Sequence, residues 1–163
     1  MIKGKVWKFG NDVDTDQIIP SQYLLLPTID EMKQYTFEPL DKEFPAKVSA
    51  GDIILGGENF GSGSSREQAP RVLKALGISA VVAKSFARIF FRNAINIGLP
   101  VLVCKEIYDS AETGDFLEID VKRGIIREPR TGKEYVSTKL PVHVMEILEA
   151  NGLIEYLNQK QGR

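Results

Sequence analysis

Apolar and polar positions follow two rhythms along this chain, and the change between them falls near residue 104. Before it, short apolar runs alternate with stretches whose apolar residues recur every three to four positions. Asp52-Ile53-Ile54-Leu55, Ile78 to Ala83 and Leu99 to Cys104 are the runs, short and rich in β-branched residues, as expected of strands covered on both faces. Between them Ala69, Val72, Leu73 and Leu76 mark a helix stopped at Gly77. Phe86, Ile89, Phe90, Asn93 and Ile97 mark a second over Ser85 to Asn96, stopped at Gly98. Strand–helix–strand–helix–strand over 52–104 predicts a parallel α/β core. Upstream, Lys3 to Phe9 predicts a first strand, and Ile29 to Tyr35 a short helix opened by Thr28 or Asp30. Phe37 to Lys47 is proline-rich and irregular. Downstream, Asp115 to Val121 alternates cleanly, and Ile125-Ile126 and Pro129 to Lys133 suggest hairpins. Pro141 to Ala150 predicts a helix ended by Asn151-Gly152, and Leu153 to Leu157 a short last one.

Composition changes this picture little. At 163 residues, 43% hydrophobic and 26% charged with a formal net charge of −1, the chain predicts a single globular domain over 1–163. That balance gives no electrostatic attraction to nucleic acid or membrane, and no apolar run approaches a membrane span. Met1-Ile2-Lys3-Gly4 lacks a signal-peptide core, so the expected location is cytoplasmic. One cysteine, Cys104, excludes an internal disulfide and a multi-cysteine metal site.

The chemistry concentrates in Gly56-Gly57-Glu58-Asn59-Phe60-Gly61-Ser62-Gly63-Ser64-Ser65-Arg66-Glu67-Gln68, between a predicted strand and a predicted helix. Such a turn converges backbone N–H groups on an anion, and four glycines within eight residues admit a ligand close to the main chain. Ser64-x-x-Glu67 and Ser65-x-x-Gln68 are overlapping capping boxes, of which one forms and leaves the other serine free beside Arg66. Pro70, after the first turn, predicts a kink or a re-initiated helix. The stretch is neither a P-loop nor a dinucleotide fingerprint. A nucleophile elbow needs a histidine partner, and His143, the only histidine, has no visible role. A reacting serine here would be activated by amide dipoles and a guanidinium, which suits proton abstraction next to a carboxylate. A well-capped helix behind a flexible loop explains the same residues without chemistry.

Three further features bear on function. Asp12, Asp14 and Asp16 alternate after Gly10 without the glycine and glutamate of a calcium loop, so they fix their own backbone or hold an arginine. Leu24, Leu25 and Leu26 stand between Pro20 and Pro27, either packed on the core or covering a ligand. Arg88 and Arg92, one turn apart, form a solvated stripe or serve an anion or acidic partner.

Gly61 to Glu67, with Asn11 to Pro20 and Phe86 to Pro100, resembles the aconitase superfamily, in particular the domain that swivels over the iron–sulfur cluster. Order and length over nearly the whole chain are similar to the free-standing small-subunit branch that acts on isopropylmalate. The resemblance implies a three-layer β/β/α swivelling fold and a large subunit carrying a [4Fe–4S] cluster, with no cofactor held by this chain. One cysteine agrees, because such a cluster needs three thiolates. The implied reaction dehydrates and rehydrates a hydroxy-dicarboxylate. Ser64 matches the base, with Ser65, Arg66 and Gly63 at the substrate. In relatives acting on tricarboxylates an arginine stands where Leu25 does; Leu24, Leu25 and Leu26 imply an apolar wall for an isopropyl group. Burying an isopropyl group there gains about 2 kcal/mol, whereas an uncompensated carboxylate costs several. The alternatives are a homoaconitase or methylmalate-type small subunit, or a non-catalytic anion-binding domain. When isolated the chain is a candidate homo-oligomer.

Overall fold

A computed structural model describes residues 1–162. Its centre is β1 (Ile2–Lys8), which joins two kinds of sheet. Val6 to Lys8 pair in parallel with β2 (Ile53–Gly56), and β2 with β3 (Ala80–Ala83) and β4 (Val101–Val103), also in parallel. Ile2 to Lys5 pair antiparallel with β5 (Phe116–Asp120), which continues through β6 (Ile125–Glu128) to β7 (Lys133–Val136). The seven strands therefore run in the order β4-β3-β2-β1-β5-β6-β7.

Period-two patterning turns this sheet into three layers. Val6, Ile53, Leu55, Ala80, Val82 and Leu102 face Leu117, Ile119 and Ile126 of the antiparallel half, with Ile107 between. This is the β/β contact. The alternate residues Ile54, Val81, Ala83 and Val101 face the helices instead. A slip of one residue would exchange the two sets, so burial on both faces fixes register.

The helical layer comes from the crossovers. α1 (Thr15–Ile18), α2 (Ile29–Met32) and α3 (Phe44–Lys47) lie between β1 and β2, and bury Ile18, Met32 and Phe44. The chain reverses around Phe37, whose ring stacks on Phe9 at 4.1 Å. α4 (Gln68–Ala75) follows β2 and buries Val72 and Leu73; α5 (Arg88–Asn96) follows β3 and buries Phe90, Ala94 and Ile95. α6 (Lys105–Ser110), which the sequence did not announce, leads into the antiparallel half. α7 (Val142–Glu149) and α8 (Leu153–Lys160) return to pack on α5. Lys74 ties this return to α4, its Nζ donating to the Ile97 carbonyl and, at 2.7 Å, to Asn151 Oδ1. Among the described residues no helix is long and apolar enough to cross a membrane.

Several predicted boundaries move for identifiable reasons. Thr28 caps α2, accepting the Glu31 N–H, but the second half of the predicted helix is a separate 3₁₀ turn, Lys33–Tyr35. α5 begins at Arg88 rather than Ser85, because Ser85 to Ala87 hydrogen-bond across to Phe60 in extended form. α4 begins at Gln68, so Pro70 lies in its first turn, where a missing N–H costs nothing, and no re-initiation follows.

Glu128 anchors the antiparallel half. It is fully buried and accepts from Ser110 Oγ at 2.8 Å, Thr131 Oγ1 at 2.8 Å and Tyr135 OH at 3.3 Å, with Arg130 Nη2 3.6 Å away. Burial alone would raise its pKa, but the Thr131 and Ser110 hydroxyls and the Arg130 charge outweigh it and hold the carboxyl below the ordinary glutamate value. A depressed native pKa means that the unfolded chain takes the proton first. The stability owed to this carboxylate is therefore complete above about pH 4.3 and is lost as pH falls toward the native value. The stability gap between wild type and Glu128→Gln should accordingly shrink on acidification below about pH 4.3, measured by urea unfolding at stepped pH. A gap independent of pH would contradict it.

Gly61 supplies a second prediction. Its φ is +85°, and a Cβ there would lie 2.2 Å from Phe90 Cγ. Gly61→Ala should therefore cost about 2–4 kcal/mol in urea unfolding, from overpacking and backbone strain together. Gly10→Ala, with nothing within 4 Å of its built Cβ, should stay within about 0.5 kcal/mol of wild type.

Candidate active site

The glycine-rich stretch leaves β2 and is held on both flanks by main-chain hydrogen bonds. On one flank Gly61 N–H donates to Val13 O at 2.7 Å, and Thr15 N–H to Ser62 O at 2.8 Å. On the other, Phe60 N–H donates to Ser85 O, and Ala87 N–H to Phe60 O, both at 3.0 Å. Phe60 to Ser62 thus act as a short extra strand between the acidic loop and the residues before α5, with bridges Asp14 to Ser62 and Phe60 to Phe86. Phe60 is fully buried and meets Phe90 edge-on at 5.3 Å, which seats the turn on the core. Side chains complete the clamp. Asn59, at φ 58°, donates its N–H to Ser85 Oγ at 2.7 Å and its amide to Asp12 Oδ1 at 3.2 Å. Thr15 Oγ1 donates to the Ser64 carbonyl at 2.9 Å.

Neither capping box forms. The N-cap of α4 is Glu67, without a side-chain cap, and the chain from Ser62 to Ser64 is pinned to Thr15 instead of turning into the helix. Both serines are thereby left free rather than one. Gly63, Ser64 and Ser65 are exposed, and Gly63 takes φ +90°. The N–H groups of Gly63, Ser64 and Ser65 have no acceptor among the described residues, whereas Arg66 N–H closes a tight turn onto Ser64 O at 2.9 Å. Three successive unpaired amides at an exposed turn are open to water or to an anion.

Arg66 is oriented by the acidic loop. Its Nη1 donates to Asp16 Oδ1 at 2.9 Å and to the Ile19 carbonyl at 3.1 Å. The Arg66 hydrogen bond, together with the Ser21 N–H, holds the Asp16 carboxyl below its ordinary pKa. Asp14 caps α1 in a reciprocal box with Gln17, at 2.8 and 3.1 Å. All three aspartates therefore serve as acceptors that shape the site: Asp12 for Asn59, Asp14 for α1, Asp16 for Arg66. The Asp14-x-x-Gln17 pattern was readable as a helix start; the roles of Thr15 and Ser85 carry no local signal, because their partners lie 49 and 26 residues away.

The leucine loop is a 3₁₀ turn, Ser21–Leu25. Tyr23 fixes it, stacking on Tyr35 at 3.9 Å and donating to Glu38 at 2.6 Å. Leu24 and Leu26 pack on the core, while Leu25 is 90% exposed. Of the three leucines expected to form an apolar wall, only Leu25 projects into solvent, and none of them is among the residues lining the Ser64 cleft.

Ser64 opens into a cleft of about 360 Å³ with Gly61, Gly63, Ala87, Arg88, Ile89 and Arg92. Arg88 and Arg92 are exposed, and neither has a carboxylate within 4.0 Å among the described residues. The pair is a solvent-exposed stripe, and the same stripe borders the cleft that Ser64 opens into. His143 lies outside this cleft, in a neighbouring cavity against α5. The donor set does not fit an iron–sulfur cluster. Cys104 is 2% exposed beneath the sheet, its thiol pKa raised by burial, and no group of three His, Cys, Asp or Glu side chains converges among the described residues.

The profile described as the aconitase C-terminal domain matches residues 15–106. The isopropylmalate/citramalate isomerase small subunit of Methanocaldococcus jannaschii is 54% identical over 160 residues, covering 98% of this chain and 95% of the relative. A 3-isopropylmalate dehydratase small subunit from a Hydrogenobaculum species is 53% identical over 161 residues, covering 98% of each. The crystal structure of 3-isopropylmalate dehydratase from M. jannaschii superposes with a TM-score of 0.93 at 46% identity, over 98% of this chain and 95% of that one. A fold, a gripped serine loop and full-length relatives at about half identity lead to one conclusion: the chain belongs to the aconitase C-terminal domain family, among the small subunits of 3-isopropylmalate dehydratase.

Proposed function

We propose that this chain is the small subunit of a hydro-lyase that interconverts 2- and 3-isopropylmalate through isopropylmaleate, in leucine biosynthesis. The observation that carries the reading is that Ser64 and Gly63, both with unpaired amides, line one cleft with Arg88 and Arg92, which have no carboxylate partner within 4.0 Å among the described residues. Residues 1–163 act in it as one swivelling unit, in the cytoplasm.

Ser64 Oγ, as alkoxide, takes the proton from the carbon next to a substrate carboxylate, and the electron pair left behind forms the double bond as hydroxide departs from the neighbouring carbon. Rehydration with the opposite regiochemistry gives the isomer. The Gly63 and Ser65 N–H groups stabilise the alkoxide through fixed dipoles, and Ser65 and Arg66 hold the substrate. No histidine lines the cleft among the described residues, so stabilisation of the alkoxide rests on these donors. A [4Fe–4S] cluster held by a large partner subunit would supply the Lewis acid that helps the hydroxyl group leave. The isolated subunit is then inactive, alone or as a homo-oligomer.

Leu25 sets what the substrate carries in place of a third carboxylate. An exposed leucine presented by a rigid turn favours an alkyl group, and burying a carboxylate against it costs several kcal/mol. Apolar contact separates isopropyl from methyl by about 1.6 kcal/mol at most, two carbons at about 0.8 kcal/mol each, so it disfavours a methyl group without excluding it. The name of the M. jannaschii relative, which covers citramalate as well, favours a second reading in which this enzyme also takes the methyl-substituted acid.

With the large subunit supplied, Ser64→Ala should lower kcat by about 10³-fold or more while KM changes little. Retention of a tenth of wild-type kcat would remove Ser64 from the role of base. In the same assay Leu25→Arg should raise kcat/KM for homoaconitate-type tricarboxylates relative to isopropylmalate by at least about tenfold. An unchanged ratio would sink the assignment of specificity to Leu25.

A further inference from the structure

The Arg88–Arg92 stripe of α5 borders two cavities. One is the Ser64 cleft; the other, about 580 Å³, lies where α5, α7 and the end of β4 meet. Its walls are Phe86, Phe91, Ile95, Val103, Val144 and Ile147, and Arg88, Arg92 and His143 stand with them. Among the described residues no aspartate or glutamate lines it. The volume falls within the roughly 300–1,000 Å³ of small-molecule sites, and apolar walls with a few polar groups are their usual makeup.

Two features select the ligand class. Neither guanidinium has a carboxylate partner within 4.0 Å among the described residues, so an anion gains charge-assisted hydrogen bonds without breaking an ion pair. The aromatic and β-branched walls reward a compact branched alkyl group, at about 25 cal/mol per Å² covered. A bare anion forfeits the second term and an alcohol the first. Ser85 offers little competition for the anion, since its hydroxyl already donates to Glu58 at 2.7 Å and accepts from Asn59.

We propose that this cavity binds a small branched aliphatic carboxylate, alkyl end between α5 and α7 and carboxylate at Arg88 and Arg92. Because both arginines also line the Ser64 cleft, an occupant draws their charge away from it, and raises KM for a dicarboxylate there. That consequence rests on the function proposed above; binding itself does not.

The test titrates the full chain with 4-methylpentanoate, followed by ¹H–¹⁵N correlation spectra and calorimetry, with 4-methylpentan-1-ol and inorganic phosphate in parallel. The expected result is saturable binding with shifts at Phe91, Ile95, Val144 and Ile147, at least about tenfold tighter than alcohol or phosphate. Arg88→Gln/Arg92→Gln should weaken it by about tenfold or more, and Val144→Trp, which fills the cavity and leaves the arginines, should abolish it. The spectra report whether each variant is folded. Alcohol binding as tightly would reduce the site to an apolar groove, and phosphate binding as tightly would reduce it to a cationic patch; either overturns the proposal. So would absence of saturable shifts, or binding that vanishes once the large subunit is bound, which would make the cavity part of the subunit interface.

Discussion

Phe60, Gly61 and Ser62 hydrogen-bond to Val13 and Thr15 on one side and to Ser85 and Ala87 on the other, and the rest of the site hangs on that double grip. It draws together three segments that are far apart in sequence and converts a glycine-rich turn from a mobile loop into a fixed one. Each main-chain bond contributes only about 1 kcal/mol net, so the grip gains its strength from what lies beneath it. Phe60 is wholly buried against Phe86 and Phe90, and Gly61 has no room for a methyl group. The loop cannot lift without opening the helical core. Exposed serines are thus carried on a rigid base, the arrangement that a preorganised site requires.

The electrostatics follow the same division. Arg66 is restrained by Asp16 and Ile19 on the acidic-loop side, while among the described residues Arg88 and Arg92 have no such restraint on the α5 side. An ion pair as exposed as Arg66–Asp16, with Asp16 60% accessible, adds about 1 kcal/mol or less to stability, so its value lies in aiming the guanidinium. The unrestrained pair is free to follow an anion. Beneath both, β1 joins the parallel and antiparallel halves, its first four residues pairing with β5 and its last three with β2. The site therefore sits above the parallel half, and the antiparallel half, anchored by Glu128, closes the far side of the core.

Much of this was legible in the chain because it was local. Near-continuous apolar runs marked β2, β3 and β4, and Gly77 and Gly98 ended α4 and α5 as the pattern predicted. The uses of Asp14 and Asp16, as acceptors for backbone and arginine, also followed from residue type. What failed was set by distant partners. Two overlapping capping boxes pointed to a helix at Ser64 or Ser65, yet Thr15, 49 residues upstream, holds the Ser64 carbonyl and delays the helix to Gln68. Ser85 to Ala87 had the helical period of α5 but are claimed by Phe60. Three adjacent leucines looked alike in sequence, and only the 3₁₀ turn decides that Leu25 faces out while Leu24 and Leu26 pack inward. Arg88 and Arg92 were ambiguous for the same reason: nothing local says which side of α5 meets the serine.

A subunit that completes a hydro-lyase should support turnover only together with its partner. The purified chain is titrated into a large subunit with an intact [4Fe–4S] cluster, with 3-isopropylmalate present, while ultraviolet absorbance follows the unsaturated intermediate. Neither subunit should turn over the substrate separately, and turnover should saturate as the chain is added. A demonstrated complex with an intact cluster and no turnover would contradict it, and would leave the serine loop an anion-binding device without a reaction.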